Sequence, residues 1–449
     1  MRYANQVSEV LNAFLQEPLK ENQMDQFYCN NTMEYRMNDK YSSPIEDIFD
    51  MCRNSESSNA FLLLGHRGCG KSTELNHMTK KLVSKGYHVR TIMCSRDLDL
   101  LNIVSSDLFI LMGEALLEIA EECNCKIKQD ILKEIQDFWG ERIETITSQE
   151  IKNGSIETEL SIETPNFISK ILKMFGKIKA DLKFNEEIRN EHRRKISICF
   201  SEWIRLLSQV SEEISKETEG KRPIIIFEDL DKLNPEDAWK VFLNYAAILS
   251  GMSFPVVYTF PIALSYDIKF SALESYFITK TLPMIKIEKI TGESYQEGIH
   301  IIQEIVKKRA NLDLFEKNVL VKMIEFTGGS LRDLFFVINS AAKRAERRKS
   351  DTISQEDAER ALEELKTVLT RRIERNDYDF LKDIYTGNKE QIEDKQKLLN
   401  MLQASVVLEY NGKRWHNVHP LVASFLKEQG LIQNDRNESG RVSNIRMDY

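Results

Sequence analysis

Gly65-His66-Arg67-Gly68-Cys69-Gly70-Lys71-Ser72, preceded by the apolar run Phe61-Leu62-Leu63-Leu64, is the stretch on which the reading of this chain turns. It fits the pattern G-x-x-x-x-G-K-[ST], placed between an expected strand and an expected helix. Glycines at this spacing let the backbone wrap a small anion with several N–H groups pointing inward. The helix that begins near Lys71 adds the positive end of its dipole. In such a cradle Lys71 bridges the β- and γ-phosphates of a nucleoside triphosphate, and the Ser72 hydroxyl binds Mg²⁺. The plain structural alternative is a Gly-rich turn between strand and helix.

The 449 residues are too many for one ordinary core, so two or three domains are expected. Charged residues at 29% and hydrophobic residues at 42% indicate a soluble, helix-rich globular chain rather than a disordered or fibrous one. A net charge of −8 argues against a generally basic nucleic-acid binder but leaves room for a local patch. The longest apolar segment, residues 254–266, is too short to cross a bilayer and is broken by Pro255 and Pro261. The opening residues lack the apolar core of a secretory signal, so a cytoplasmic protein without membrane attachment is the expectation. The odd number of cysteines, at positions 29, 52, 69, 94, 123, 125 and 199, reads as reduced thiols rather than a disulfide framework. Cys123-Asn124-Cys125 has too few neighbouring ligands for a zinc site.

Residues 1–57 are polar and interrupted and form a lead-in expected to flank base and ribose. After the glycine loop, residues 73–85 read as a helix ended by Gly86, and residues 87–94 alternate as a second strand. That strand-loop-helix-strand unit implies a parallel sheet. From about residue 100 to 220 the pattern changes to a long helical insertion, with periodic segments 108–122, 131–146 and 188–214. Within it, Lys170, Lys173, Lys177, Lys179, Lys183, Arg189, Arg193, Arg194 and Lys195 outnumber the acids. They read either as a solvated helix face or as a surface for nucleic acid or an acidic partner.

The core resumes with Pro223-Ile224-Ile225-Ile226-Phe227, a buried strand ending in Glu228-Asp229-Leu230-Asp231. Acids at the carboxyl end of a parallel strand lie in the crevice where ligands of such sheets bind. One of Glu228 and Asp229 would hold the Mg²⁺ shell, and the other would orient or deprotonate water. Helix capping by Asp231 or Asn234 ahead of Pro235 is the structural alternative. A helix over 239–249 leads to the strand Pro255-Val256-Val257-Tyr258-Thr259-Phe260, whose Thr259 either senses the γ-phosphate or is structural. In the helical lobe over 294–350, Thr327-Gly328-Gly329-Ser330-Leu331-Arg332-Asp333 opens an amphipathic helix capped by Ser330. Arg332 then opposes the helix dipole unless an anion compensates it, a phosphate or Asp333.

Taken in order, the motifs at 65–73, 224–231, 256–260 and 328–334 make the chain resemble an AAA+ ATPase, most like the initiator-like and STAND-type branches, over about residues 40–425. The resemblance implies an α/β fold with a P-loop parallel-sheet core, a helical lid and ATP with Mg²⁺ as ligands. It also implies Walker A residues Gly65, His66, Arg67, Gly68, Cys69, Gly70, Lys71, Ser72 and Thr73 around the nucleotide, and Walker B at Glu228 and Asp229. Ser72, Glu228 and Asp229 are the implied metal-side residues, Thr259 sensor 1 and Arg332 sensor 2. The acidic order here is Glu then Asp, the reverse of the family's usual one. No arginine lies between Arg222 and Arg309, where ring-forming relatives place their finger. Residues 377–425 resemble a winged helix. Asn411-Gly412 forms its hairpin turn, and the basic tip with Lys413 and Arg414 serves as a protein-contact or DNA-contact wing.

The expected domains are a lead-in over 1–57, an ATPase core over 58–290, a lid over 291–370, a winged-helix-like domain over 371–429 and a disordered tail over 430–449. The expected function is a slow ATPase switch acting on a protein partner, with bacterial defence or stress signalling as the analogy. The alternative is an ATP-dependent DNA-binding protein of initiator or transposition-regulator type. Either leaves room for an oligomer.

Overall fold

The computed structural model describes residues 1–433 apart from 31, 38, 40, 55–59, 151–166, 388 and 411–413; side chains are described except at 140–150 and 167. The chain forms two compact units, one of Pro44–Gly65 and Lys71–Leu282, the other of Met1–Ser43, His66–Gly70 and Pro283–Tyr449.

The first unit is built on a five-stranded parallel sheet with strands β1 (Ala60–Gly65), β2 (Val89–Met93), β3 (Ile224–Glu228), β4 (Val256–Pro261) and β5 (Ile278–Thr281), in the order β2-β3-β4-β1-β5. The three inner strands are buried along their whole length, which is why they read as unbroken apolar runs rather than alternating ones. The edge strands carry the polar residues, among them Arg90 and Lys280. Register places Leu63 beside Thr259 and Met93 beside Glu228, so the polar ends of β2, β3 and β4 come level. Tyr258 stacks on Phe227 with centroids 5.5 Å apart, and its buried hydroxyl donates to the Leu249 carbonyl at 3.1 Å.

Between β2 and β3 lie the helices Ser105–Glu122, Gln129–Glu150, Phe167–Phe184, Glu186–Ile198 and Phe200–Glu217. The segment expected as one helix over 188–214 is broken at Cys199. Its periodicity runs on because both halves bury an apolar face, Ile196 on the first and Trp203, Leu207 and Val210 on the second. An aromatic cluster of Phe138, Trp139, Phe175 and Trp203 forms the centre of these helices, with the Trp203 indole N–H donating to the Phe109 carbonyl at 2.9 Å. The segment expected as a helix over 239–249 is likewise two short helices, Pro235–Phe242 and Ala246–Ser250. Asn234 caps the first by accepting from the Asp237 N–H at 2.9 Å.

The second unit is helical. Gln296–Lys307, Val319–Phe326, Leu331–Arg347 and Gln355–Thr370 are its principal helices. The first residues of the chain belong here: Ala4 exchanges backbone hydrogen bonds with Arg309 and Asn311, and Phe14 meets Phe335 edge to face. The first 57 residues, expected as one lead-in, are therefore divided, because the amphipathic helix Pro44–Arg53 packs in the sheet-bearing unit instead. Beyond the lobe come helices Tyr378–Thr386 and Lys395–Gln403, an antiparallel hairpin of β6 (Val407–Tyr410) and β7 (Trp415–Val418), and helix Pro420–Glu428. The hairpin strands are wholly buried, with Tyr410 and Trp415 stacked at 4.7 Å. The turn expected at Asn411-Gly412, the wing residue Lys413 and residues 434–449 of the expected tail lie outside the described residues. No described helix is long and apolar enough to cross a membrane.

Candidate functional site

In the sheet-bearing unit, Lys71 opens the helix Lys71–Ser84 immediately after the loop that follows β1. Its buried ammonium donates to the Gly65 carbonyl at 2.7 Å and pairs with Asp231 at 2.9 Å. Glu228, the last residue of β3, is 1% exposed, and among the described residues neither of its carboxylate oxygens has a hydrogen bond of good geometry. Burial pushes its carboxyl up to about 7; the Ser72 hydroxyl and the Lys71 ammonium oppose the shift, while Asp229 and Asp231 add to it.

Asp229 differs from its neighbour in every respect that matters chemically. Its backbone is left-handed, with φ 72°, a conformation that costs energy in a residue with a side chain. Its carboxylate accepts from the Ser95 hydroxyl just beyond β2 and pairs with Lys232 at 2.5 Å. Thr259 secures the turn on which both acids sit: its hydroxyl donates to the Phe227 carbonyl at 3.3 Å and accepts from the Leu230 N–H at 3.1 Å. The side chain expected to sense phosphate thus uses its donor and an acceptor position on the backbone flanking Glu228 and Asp229.

The loop residues His66–Gly70 are braced by the helical unit. Gly68 and Gly70 have φ of 86° and 103°, which favours glycine. A Cβ on Gly68 would come within 2.7 Å of the Arg332 Cβ and 3.0 Å of the Ser330 hydroxyl, so the glycine is required by close approach as well. The Gly68 carbonyl accepts from the Leu331 N–H at 3.2 Å, and Ser330 caps that helix by accepting from the Asp333 N–H at 3.3 Å. Arg332 is exposed and makes no ion pair among the described residues. From the other side, His66 Nε2 accepts from the Glu409 N–H of β6 at 2.8 Å, and the Tyr410 hydroxyl donates to the Gly328 carbonyl at 2.8 Å.

These features fit a phosphate chain and a magnesium ion. In the sheet-bearing unit the buried Glu228 carboxylate, with no hydrogen bond of good geometry among the described residues, lies near Ser72 at the carboxyl end of β3. Among the described residues no three His, Cys, Asp or Glu side chains converge as a metal-binding group. Four residues carry this geometry without having been singled out for it in the sequence. Asp231 was legible only as a cap and Ser95 only as the residue after β2, while Lys232 and Glu409 have no local signal.

A glycine loop leaving β1, an acidic pair closing β3, and the parallel order β2-β3-β4-β1-β5 together decide the architecture. The fold is a P-loop parallel-sheet α/β fold with the strand order of AAA+ proteins. No family model matches the sequence, and no curated protein does. Among solved structures, the chain is similar to the Aeropyrum pernix ORC2 protein in its ADPNP–ADP complexes, at 10% identity and a TM-score of 0.38, over 90% of this chain and 99% of that one. It is also similar to Drosophila ORC bound to DNA, at 9% identity and 0.37 over 94% and 92%. The Thermotoga maritima RuvB Holliday junction branch migration motor is similar at 11% identity and 0.35 over 88% and 99%.

Proposed function

We propose that the protein is a cytoplasmic, ATP-binding and slowly ATP-hydrolysing switch that passes its nucleotide state to a partner protein, a role of the kind met in bacterial defence and stress signalling. The observation that carries the nucleotide part is the combination of the Lys71 ammonium with the bare Glu228 carboxylate beside the Ser72 hydroxyl. ATP rather than GTP follows from the family resemblance, together with the lack of a guanine-reading N-K-x-D motif.

In this reading Lys71 leaves the Asp231 carboxylate and the Gly65 carbonyl for the β- and γ-phosphate oxygens. Magnesium, when bound, supplies charge neutralisation on those oxygens, with Ser72 and Glu228 as its protein-side residues. Asp229, paired with Lys232 and aimed by Ser95, orients the attacking water. Thr259 is a positioning residue that holds the turn carrying both acids. Arg332, anchored over Gly68, is the sensor 2 cation at the mouth of the lid helix. Slow turnover is consistent with the tied carboxylate of Asp229 and with the missing arginine between 222 and 309.

Phosphate release by separate Glu228→Gln and Asp229→Asn variants tests the proposal. Asp229→Asn is expected to lower turnover by roughly 10²- to 10⁴-fold while ATP still binds. Glu228→Gln is expected to weaken the magnesium dependence of binding as well. Two variants that release phosphate as fast as the parent would remove the acids from the chemistry.

The DNA-binding alternative has less support. In the basic run Lys179 pairs with Glu114 at 2.8 Å, Arg189 with Asp99 at 3.7 Å, and Arg193 with buried Asp107, while Lys195 lies over the Phe138 ring. Lys183 donates to the Arg96 carbonyl. Those cations hold the helices together. Duplex DNA affinity falling steeply with salt would restore the alternative.

A further inference from the structure

Arg36 is a residue to which the reading above gives no role. It lies on the short helix Thr32–Met37 in the polar lead-in, yet it is 1% exposed. One end of its guanidinium is anchored: Nη1 donates to the Pro283 carbonyl at 2.5 Å. The other end, Nη2, lies 3.5 Å from the place where a Cβ on Gly70 would stand, with the Leu331 methyl the next atom at 3.8 Å. Nε has no hydrogen-bond partner, and among the described residues no carboxylate pairs with Arg36. A guanidinium offers five N–H donors, and burying one with a single accepted hydrogen bond is costly unless an anion arrives to take the rest. Beside Nη2 stands Gly70, the glycine that precedes Lys71 in the loop.

We propose that Arg36 is a second phosphate-binding cation of the loop, receiving the nucleotide's phosphate chain over Gly70 while Pro283 holds the opposite edge of its guanidinium. Gly70 lets the guanidinium pack directly on the loop backbone, since a Cβ there would already touch Nη2 at 3.5 Å. The planar fork suits phosphate oxygens, and a lysine, a compact point charge, could not serve Pro283 and an anion at once. The inference rests on the nucleotide-binding reading, and the test separates the two.

Affinities for ATP, ADP and inorganic tripolyphosphate are measured by calorimetry on the full chain, with magnesium, at several salt concentrations. The parent is expected to bind all three and Lys71→Ala to lose them. Arg36→Gln is expected to weaken all three by roughly 10- to 100-fold, tripolyphosphate included, because the lost contact is to phosphate and not to base. Its affinity should also fall less steeply with salt than the parent's, a change that a merely structural brace would not produce. Arg36→Lys is expected to bind several-fold more weakly than the parent, and it decides the matter should the glutamine variant melt too low to titrate. Parent-like affinity in either variant, or an unchanged salt slope, overturns the role of Arg36 while leaving the nucleotide site standing. A parent that binds no nucleotide and no tripolyphosphate overturns both.

Discussion

In the proposed nucleotide site, Asp231 competes with an incoming phosphate for Lys71. Its carboxylate holds the Lys71 ammonium at 2.9 Å in a setting where both side chains are nearly buried. Charge-assisted hydrogen bonds of this kind are stronger than neutral ones, so part of the attraction between Lys71 and a triphosphate is offset by breaking the pair. Asp231→Asn removes the competing charge and keeps the shape. The expected outcome is ATP affinity tightened by roughly 3- to 10-fold, about 1 kcal/mol, read by calorimetry. A weaker affinity instead would place Asp231 among the groups that hold the nucleotide. The same residue also explains a limit of local reading: as a carboxylate just before Asn234-Pro235 it has the chemistry of a helix cap, yet Asn234 caps that helix and Asp231 turns to the lysine.

At the scale of elements, the helices between β2 and β3 have a core of their own. The helix Ser105–Glu122 is buried on nearly all sides, and Gly113 lets it pass Trp203. A Cβ at that glycine would come within 2.4 Å of the indole and 3.2 Å of the Phe175 ring. Gly113→Ala is thus an overpacking change in which helix propensity, a gain of up to about 1 kcal/mol, is outweighed by a clash of about 1–3 kcal/mol. The expected result is a lowered urea midpoint with a shifted tryptophan emission, because Trp203 must move. An unchanged midpoint would show that the ring yields freely. The periodicity of these helices was legible in sequence, but the break at Cys199 was not, nor was the break after Phe242 in the segment between β3 and β4. An apolar stripe that continues on the next helix looks the same as one that never stopped.

For the whole molecule, two compact units unfold as parts of one chain, so a single two-state transition is not the expectation. A ligand that binds only folded protein stabilises it by mass action, by about 2.7 kcal/mol at 100 times its dissociation constant. Thermal melts with magnesium and ATP are therefore expected to shift upward with nucleotide concentration, by several degrees at saturation. In Lys71→Ala the shift should vanish. Melts of the parent that ignore ATP at millimolar concentration would contradict the nucleotide site directly.

The sequence by itself determined the loop at 65–72, the acidic end of β3, the inner strands and the helix opened by Ser330. Each is written in a few adjacent residues whose conformations are set by local sterics, capping and continuous burial. Only the tertiary structure decided that Glu228 is bare while Asp229 is engaged, that Thr259 holds a turn, and that Arg36 reaches Gly70. Those outcomes depend on side chains brought together from distant parts of the chain. Partners so far apart leave no periodicity or spacing behind, and only the packed protein sets which of two adjacent carboxylates finds a donor.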